Sequence, residues 1–290
     1  MSTILDTVGN TPMVEIQKMN VNPGVKIYAK LEGNNPGGSV KDRPALNMIR
    51  SALDRGDINK QTKLIEATSG NTGIAMALMA KLFGLEIELA MPSSSTRERV
   101  VTMEAFGAKV TLLESIEDCR DYADKKGASG EKYVLNQFAN PDNYKAHYKT
   151  TGPEIWRDTD QSITHFVSSM GTTGTIMGCS RYLKEQNNNV QIVGCQPTEE
   201  ASIPGIRRWP VEYLPKIFEP SRVDRIMDVT QKDAITFTRR LANEEGIFAG
   251  MSSGGAASAA VGLAQELTTG IIVFIVCDRG DRYLSSDLFG

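Results

Sequence analysis

Short apolar runs alternate with stretches of helical periodicity along this chain, and that rhythm confines it to an α/β fold of βα units around largely parallel sheets. In "VKIYAKL", Val25, Ile27, Ala29 and Leu31 fall on alternate positions, as in a half-buried strand near a sheet edge. Leu46, Ile49 and Leu53 then recur at helical spacing, from a start near Lys41 to a stop at Gly56. "KLIEATSGNTGIAMALMAKLFG" is strand, glycine-bearing loop and apolar helix, closed by Gly84. "EIELAMPSSSTRERVVTMEAFGAKVTLL" repeats the plan, with a strand to Met91, a helix ending near Gly107 and another strand. "NQFANPDNYKAHYKTTGPEIWRD" is rich in Asn and Pro and breaks the rhythm, so the crossing between two domains is expected there. Beyond it come a strand, Gly/Thr loop and helix in "THFVSSMGTTGTIMGCSRYLKEQ", the strand "VQIVGCQP", a helix capped by Thr230, a helix opened by serines in "GMSSGGAASAAVGLAQEL", and the buried strand in "IIVFIVCDRGDRYLSS". "EEASIPGIRRWPVEYLPKIFEP" is too rich in proline for an element and reads as a long surface segment.

Composition narrows the partners. A formal net charge of -3 supplies no basic field for nucleic acid or an anionic membrane. Cys119, Cys179, Cys195 and Cys277 are widely spaced, and with only His147 and His165 beside them no metal site is expected. No run approaches a membrane span, and "MSTILDTVGN" lacks the pattern of a secretory signal, so a reduced, cytoplasmic setting is expected. Small molecules and copies of the chain itself remain as partners, with a symmetric homodimer the expected assembly.

Three strand-to-helix junctions carry small, hydroxyl-bearing residues: Thr68-Ser69-Gly70-Asn71-Thr72, Gly171-Thr172-Thr173-Gly174-Thr175 and Ser252-Ser253-Gly254-Gly255. Ligands of open α/β sheets sit beyond the carboxyl ends of the strands, and backbone N–H groups at a helix N-terminus bind anions. "GTTGT" therefore suits a phosphate and "TSGNT" a carboxylate. Taken singly, such residues are equally ordinary in turns and caps. Neither loop matches a nucleotide fingerprint.

Lys41 stands where a helix normally prefers acidic residues. Most lysines are merely solvated, but a helix N-terminus in a dry cleft depresses an amine pKa and frees it for a Schiff base. A phosphate cup, a Schiff-base lysine and hydroxyls to hold a ring converge on pyridoxal 5'-phosphate.

"KLEGNNPGGSVKDRPA", "EATSGNTG", "SSMGTTGT" and "GMSSGGAA", in that order, resemble the β-family (fold type II) pyridoxal-phosphate enzymes, and "TVGNTPMVEI" with "IPGIRRWP" is similar to the cysteine synthases (O-acetylserine sulfhydrylases) of the B type. The likeness runs from Thr7 to Leu284. It implies two open, twisted, largely parallel sheets flanked by helices, as in the tryptophan synthase β fold. A smaller, mobile, carboxylate-binding domain would span 36–142, and a larger phosphate-binding domain 1–35 with 143–290. By the same resemblance Lys41 would hold the cofactor and act as base at Cα, Asn71 would bond the ring hydroxyl, Gly171 to Thr175 would grip the phosphate, and Ser252 would face the ring nitrogen. Which of Ser252 and Ser253 touches the ring is a matter of one-residue phase, and the family pattern favours the first. Thr68, Ser69, Gly70, Thr72 and Gln137 would receive the substrate carboxylate. A neutral hydroxyl at the ring nitrogen suits β-replacement better than transamination.

The implied reaction joins O-acetyl-L-serine to sulfide, or to thiosulfate, by way of an α-aminoacrylate, giving L-cysteine or S-sulfocysteine. Arg207, next to Arg208 and Trp209, is a candidate for the larger anion, against the ordinary role of such a cluster as a surface latch or dimer contact. Cys277 is a second candidate substrate contact, against that of a packed strand-end thiol. The B-type likeness argues against a stable complex with serine acetyltransferase. A serine or threonine dehydratase, a cystathionine β-synthase or a non-catalytic regulatory relative would share the cofactor loops.

Overall fold

The computed structural model describes residues 2–68 and 70–289. Two sheets organise it. The first runs in the order β1 (Met13–Glu15), β2 (Val25–Leu31), β10 (Gly270–Val276), β7 (His165–Ser169), β8 (Gln191–Pro197), β9 (Arg225–Val229), and every pairing but β1 with β2 is parallel. β2 thus lies one strand in from the edge, which accounts for its alternating burial. The second sheet is wholly parallel, in the order β5 (Lys109–Leu113), β4 (Glu86–Pro92), β3 (Lys63–Ala67), β6 (Tyr133–Val134). The expected class, two largely parallel sheets flanked by helices, is the observed one.

Helices α1 (Asp42–Arg55), α2 (Asn71–Phe83) and α3 (Arg97–Ala105) flank the second sheet, and their apolar faces bury Met48, Ile49, Met76, Met79 and Met103 against it. Gly56 and Gly84 end α1 and α2 in the left-handed region, which costs a glycine no Cβ clash. The first sheet is covered on one face by α8 (Gln231–Glu245) and the alanine-rich α9 (Met251–Glu266), and on the other by α7 (Gly174–Gln186) with Ile155 of α6 (Thr151–Asp158). Thr230 caps α8 as expected, its Oγ1 accepting from the Asp233 N–H at 3.0 Å.

Two sequence expectations change. The Asn/Pro-rich stretch that seemed to break the rhythm forms α6 and, before it, α5 (Pro141–Lys149). Asn140 caps α5 and Pro141 occupies its first turn, where a missing N–H costs nothing. The segment 199–219 is irregular apart from a 3-10 turn at Val211–Tyr213, yet it is not merely superficial, because Ile203, Ile206 and Ile217 are buried and its middle lines a cavity.

Candidate active site

The carboxyl ends of both sheets open onto one cavity of about 640 Å³, whose wall includes Thr68 after β3, Pro92 of β4, Ser169 of β7 and Cys277 after β10. This is the position at which an open α/β sheet takes its ligand.

Lys41 reaches this cavity from the N-cap of α1. The preceding turn is held by Asp42, whose Oδ2 accepts the Gly37 N–H at 2.5 Å, and a Cβ at Gly37 would strike that carboxylate. Arg282 bonds the Gly37 carbonyl from the other side. The "PGGS" turn is therefore clamped, and it presents Lys41 with no hydrogen bond or ion pair to its Nζ among the described residues. Burial lowers the pKa of the amine, opposed by the nearby Cys277, Asp278 and Glu32. Cys277 is half-buried beside it, and burial pushes its thiol up to about 11 in spite of Lys41, so at neutral pH it is a thiol.

The 171–175 loop leads from β7 into α7. Gly171, Thr172 and Thr175 line the cavity, whereas Thr173 lines a separate small cleft beside Met170. Thr173 adopts φ +69°, and its buried Oγ1 has no hydrogen-bond partner. A Cβ on Gly174 would lie 1.9 Å from Asn143 Oδ1, so only glycine admits this close approach. With the open amino terminus of α7 behind it, the loop has the backbone and charge a phosphate requires.

The segment at 68–72 makes the facing wall. Ser69 lies outside the described residues. Thr68 Oγ1 accepts the N–H groups of Gly70 (3.2 Å) and Gly73 (3.1 Å), curling the loop into α2. Thr72 Oγ1 donates to Gln137 Oε1 at 2.7 Å, and Gln137 Nε2 donates to the Ala67 carbonyl. Asn71 donates to Asp278 Oδ2 at 2.7 Å and accepts from Arg282, leaving its second amide hydrogen for a ligand. Asp278 Oδ2 also accepts from Tyr283 at 2.6 Å.

The two serines separate at the end of β10. Ser253 Oγ accepts the Cys277 N–H at 2.9 Å, while Ser252 lies on the cavity wall. The adjacent arginines also separate. Arg208 is bound to the Pro197 carbonyl and Asp228, whereas the Arg207 guanidinium has no such partner among the described residues. Trp209 fixes this segment to the phosphate-type loop by donating to the Gly171 carbonyl at 2.7 Å.

Two supporting residues carried no signal of their own in the sequence. His147 Nε2 meets Thr175 Oγ1 at 3.3 Å and its Nδ1 meets Thr151 at 2.9 Å, and burial holds it neutral, with Arg43 and Lys41 acting in the same direction. Glu66 accepts the N–H groups of Asn136 (2.9 Å) and Gln137 (3.1 Å), and burial pushes its carboxyl up to about 7. Each acts through a neighbour, and neither lines the cavity.

Lys41 and the glycine-threonine loop line one cavity, and the family model described as pyridoxal-phosphate dependent enzyme matches residues 4–278. The chain belongs to that family and uses pyridoxal 5'-phosphate. It is 59% identical over 290 residues to cysteine synthase B of Pseudomonas aeruginosa, covering 99% of this chain and 97% of the relative. Against cysteine synthase B of Escherichia coli the identity is 54% over 293 residues, covering 100% and 97%. A crystal structure of a cysteine synthase from Entamoeba histolytica superimposes with a TM-score of 0.94 at 36% identity, covering 100% of this chain and 90% of that one.

Proposed function

We propose that the chain is a cysteine synthase that replaces the acetate of O-acetyl-L-serine by a sulfur nucleophile, yielding L-cysteine with sulfide and S-sulfocysteine with thiosulfate. The observation that carries this reading is the convergence of the unpaired Lys41 amine, the 171–175 cradle and the Thr68–Gln137 wall on one cavity. When bound, pyridoxal phosphate supplies an electron sink for the carbanion at Cα. Gly171, Thr172 and Thr175, with the N-terminus of α7, hold its phosphate, Asn71 its ring hydroxyl and Ser252 its ring nitrogen. Thr68, Gly70, Thr72 and Gln137 receive the substrate carboxylate. Lys41 takes the Cα proton as acetate leaves and returns it after the new C–S bond forms. Cys277, protonated at neutral pH, packs beside the reacting carbons as a neutral neighbour.

Residues 36–142 act as a smaller domain that closes over the carboxylate and excludes water, against a larger domain of 1–35 and 143–290. Support comes from the sheets, since the four-stranded one lies wholly within the first range and the six-stranded one wholly within the second. A symmetric homodimer and the lack of a stable serine acetyltransferase complex belong to the same reading and rest on the B-type resemblance. Among the described residues no helix is long and apolar enough to cross a membrane.

The test is cysteine formation from O-acetylserine and sulfide, with ping-pong kinetics and no ammonia release. Ammonia without cysteine would make the chain a dehydratase. In the same assay Arg207→Ala is expected to shift the ratio of kcat/KM values about tenfold toward sulfide over thiosulfate, the worth of one charge-assisted hydrogen bond. Arg208→Ala, whose guanidinium is already bound to Asp228 and Pro197, is expected to leave that ratio in place. Equal ratios in both variants would remove the anion role from Arg207.

A further inference from the structure

Arg120 shares the cavity wall with Arg207. It projects from α4 (Ile116–Ala128), which packs on the second sheet, whereas Arg207 follows the first. Its guanidinium rests over the Phe138 ring at 4.9 Å and the Tyr213 ring at 5.6 Å. Phe138 in turn meets Trp209 edge-on, with centroids 5.6 Å apart, and so links Arg120 to the segment that carries Arg207. No hydrogen bond or ion pair engages Arg120 among the described residues. Glu114 and Glu117 line the same cavity and do not pair with it.

Stacking against rings uses the faces of a guanidinium and immobilises it, while the N–H donors lie in its plane. A fork held still on the wall of a reaction cavity, with its donors unmatched, is built for an oxyanion. The proposed reading already provides for the substrate carboxylate at Thr68, Thr72 and Gln137. Sulfide has no oxyanion to offer.

Building on the β-replacement reading, we propose that Arg120 is a specificity-determining residue that binds the oxyanion end of a sulfur nucleophile of the thiosulfate class, alongside Arg207. Acetate has already left with the electrons of the Cβ–O bond when the terminal sulfur adds at Cβ, Lys41 then returns the proton to Cα, and the sulfonate end leaves the site unchanged as part of S-sulfocysteine. Sulfide needs neither arginine.

The experiment compares the holoenzyme with Arg120→Met, which keeps an apolar stem between the rings, and with Arg120→Lys, which keeps the charge without the fork. The ratio of kcat/KM for sulfide to that for thiosulfate is expected to rise about tenfold in Arg120→Met and less in Arg120→Lys. A second readout needs no turnover. Thiosulfate, or inorganic sulfate, added to the resting enzyme should change Trp209 emission saturably, with the midpoint displaced to higher concentration in Arg120→Met. An unchanged ratio with an unchanged midpoint, or equal loss with both nucleophiles, would overturn the proposal. If the wild type used neither nucleophile, the β-replacement reading itself would fail, and the fluorescence titration would still report whether Arg120 binds the anion.

Discussion

Lys41→Ala should lower cysteine formation by about 10³-fold or more, since it removes both the covalent anchor and the group that moves the Cα proton. The fold should survive. Burial depresses the pKa of this amine, so the unfolded chain binds the proton more readily than the folded one. The resulting burden on stability is greatest below the folded-state pKa and disappears as pH rises toward 10.5. Thermal unfolding of the cofactor-free variant at neutral pH is therefore expected at or above the wild-type temperature. Calorimetry of both cofactor-free proteins at pH 7 and pH 10 checks this, with a gap that narrows at the higher pH. Marked destabilisation at pH 7 would mean that Lys41 serves the fold rather than the chemistry.

Arg43→Ala should produce the largest loss of stability. Arg43 is buried, and it bonds Glu32 (2.7 Å) and Glu154 (2.6 Å), while Lys30, fully buried, reaches Glu154 (2.9 Å) and Asp158 (3.2 Å). Thr11, Gly9 and Asn10 are tied to the same cluster through Glu32, Asn35 and Glu154, so the network fixes the amino terminus of α1 against α6 and the start of the chain. Removing the guanidinium leaves two buried carboxylates short of a partner, at a cost of about 3–5 kcal/mol. The pH dependence discriminates. In the wild type, burial raises the Glu154 pKa but Arg43 and Lys30 outweigh it and hold the value at about 2, so the contribution is complete above 4.5 and is lost as pH falls toward 2. Without Arg43, burial dominates, the carboxyls take up protons more readily, and the deficit should shrink on acidification. Urea unfolding at pH 7 and pH 5 measures it, and a deficit that is small at pH 7, or that grows at pH 5, would contradict the account.

Both sites illustrate which kind of information the sequence carries. The βα rhythm was legible because strands and helices impose periods on local apolar residues, and the loops at 68–72, 171–175 and 252–255 were legible because glycine and hydroxyls at such junctions have few uses. α4 and β6 were not foreseen, since α4 buries only Cys119 and Ala123 and β6 has two residues, too little for a period to show. The helices α5 and α6 were hidden behind prolines that begin helices rather than break them. In the proposed reading, the choice of Ser252 over Ser253 depends on a backbone N–H at Cys277, and that of Arg207 over Arg208 on Asp228 and Pro197. Glu66, His147 and Arg120 act on residues from other elements. No local pattern encodes such contacts.

The central claim is that one cavity holds pyridoxal phosphate on Lys41 and commits O-acetylserine to β-replacement. The visible absorption spectrum of the purified holoenzyme, recorded as O-acetylserine is added and then sulfide or thiosulfate in separate cuvettes, tests it most directly. The account predicts that the resting cofactor band gives way to a new band that persists until a sulfur nucleophile discharges it and restores the first. A cofactor band that O-acetylserine leaves unchanged would contradict it, keeping the fold and the cofactor but removing the substrate.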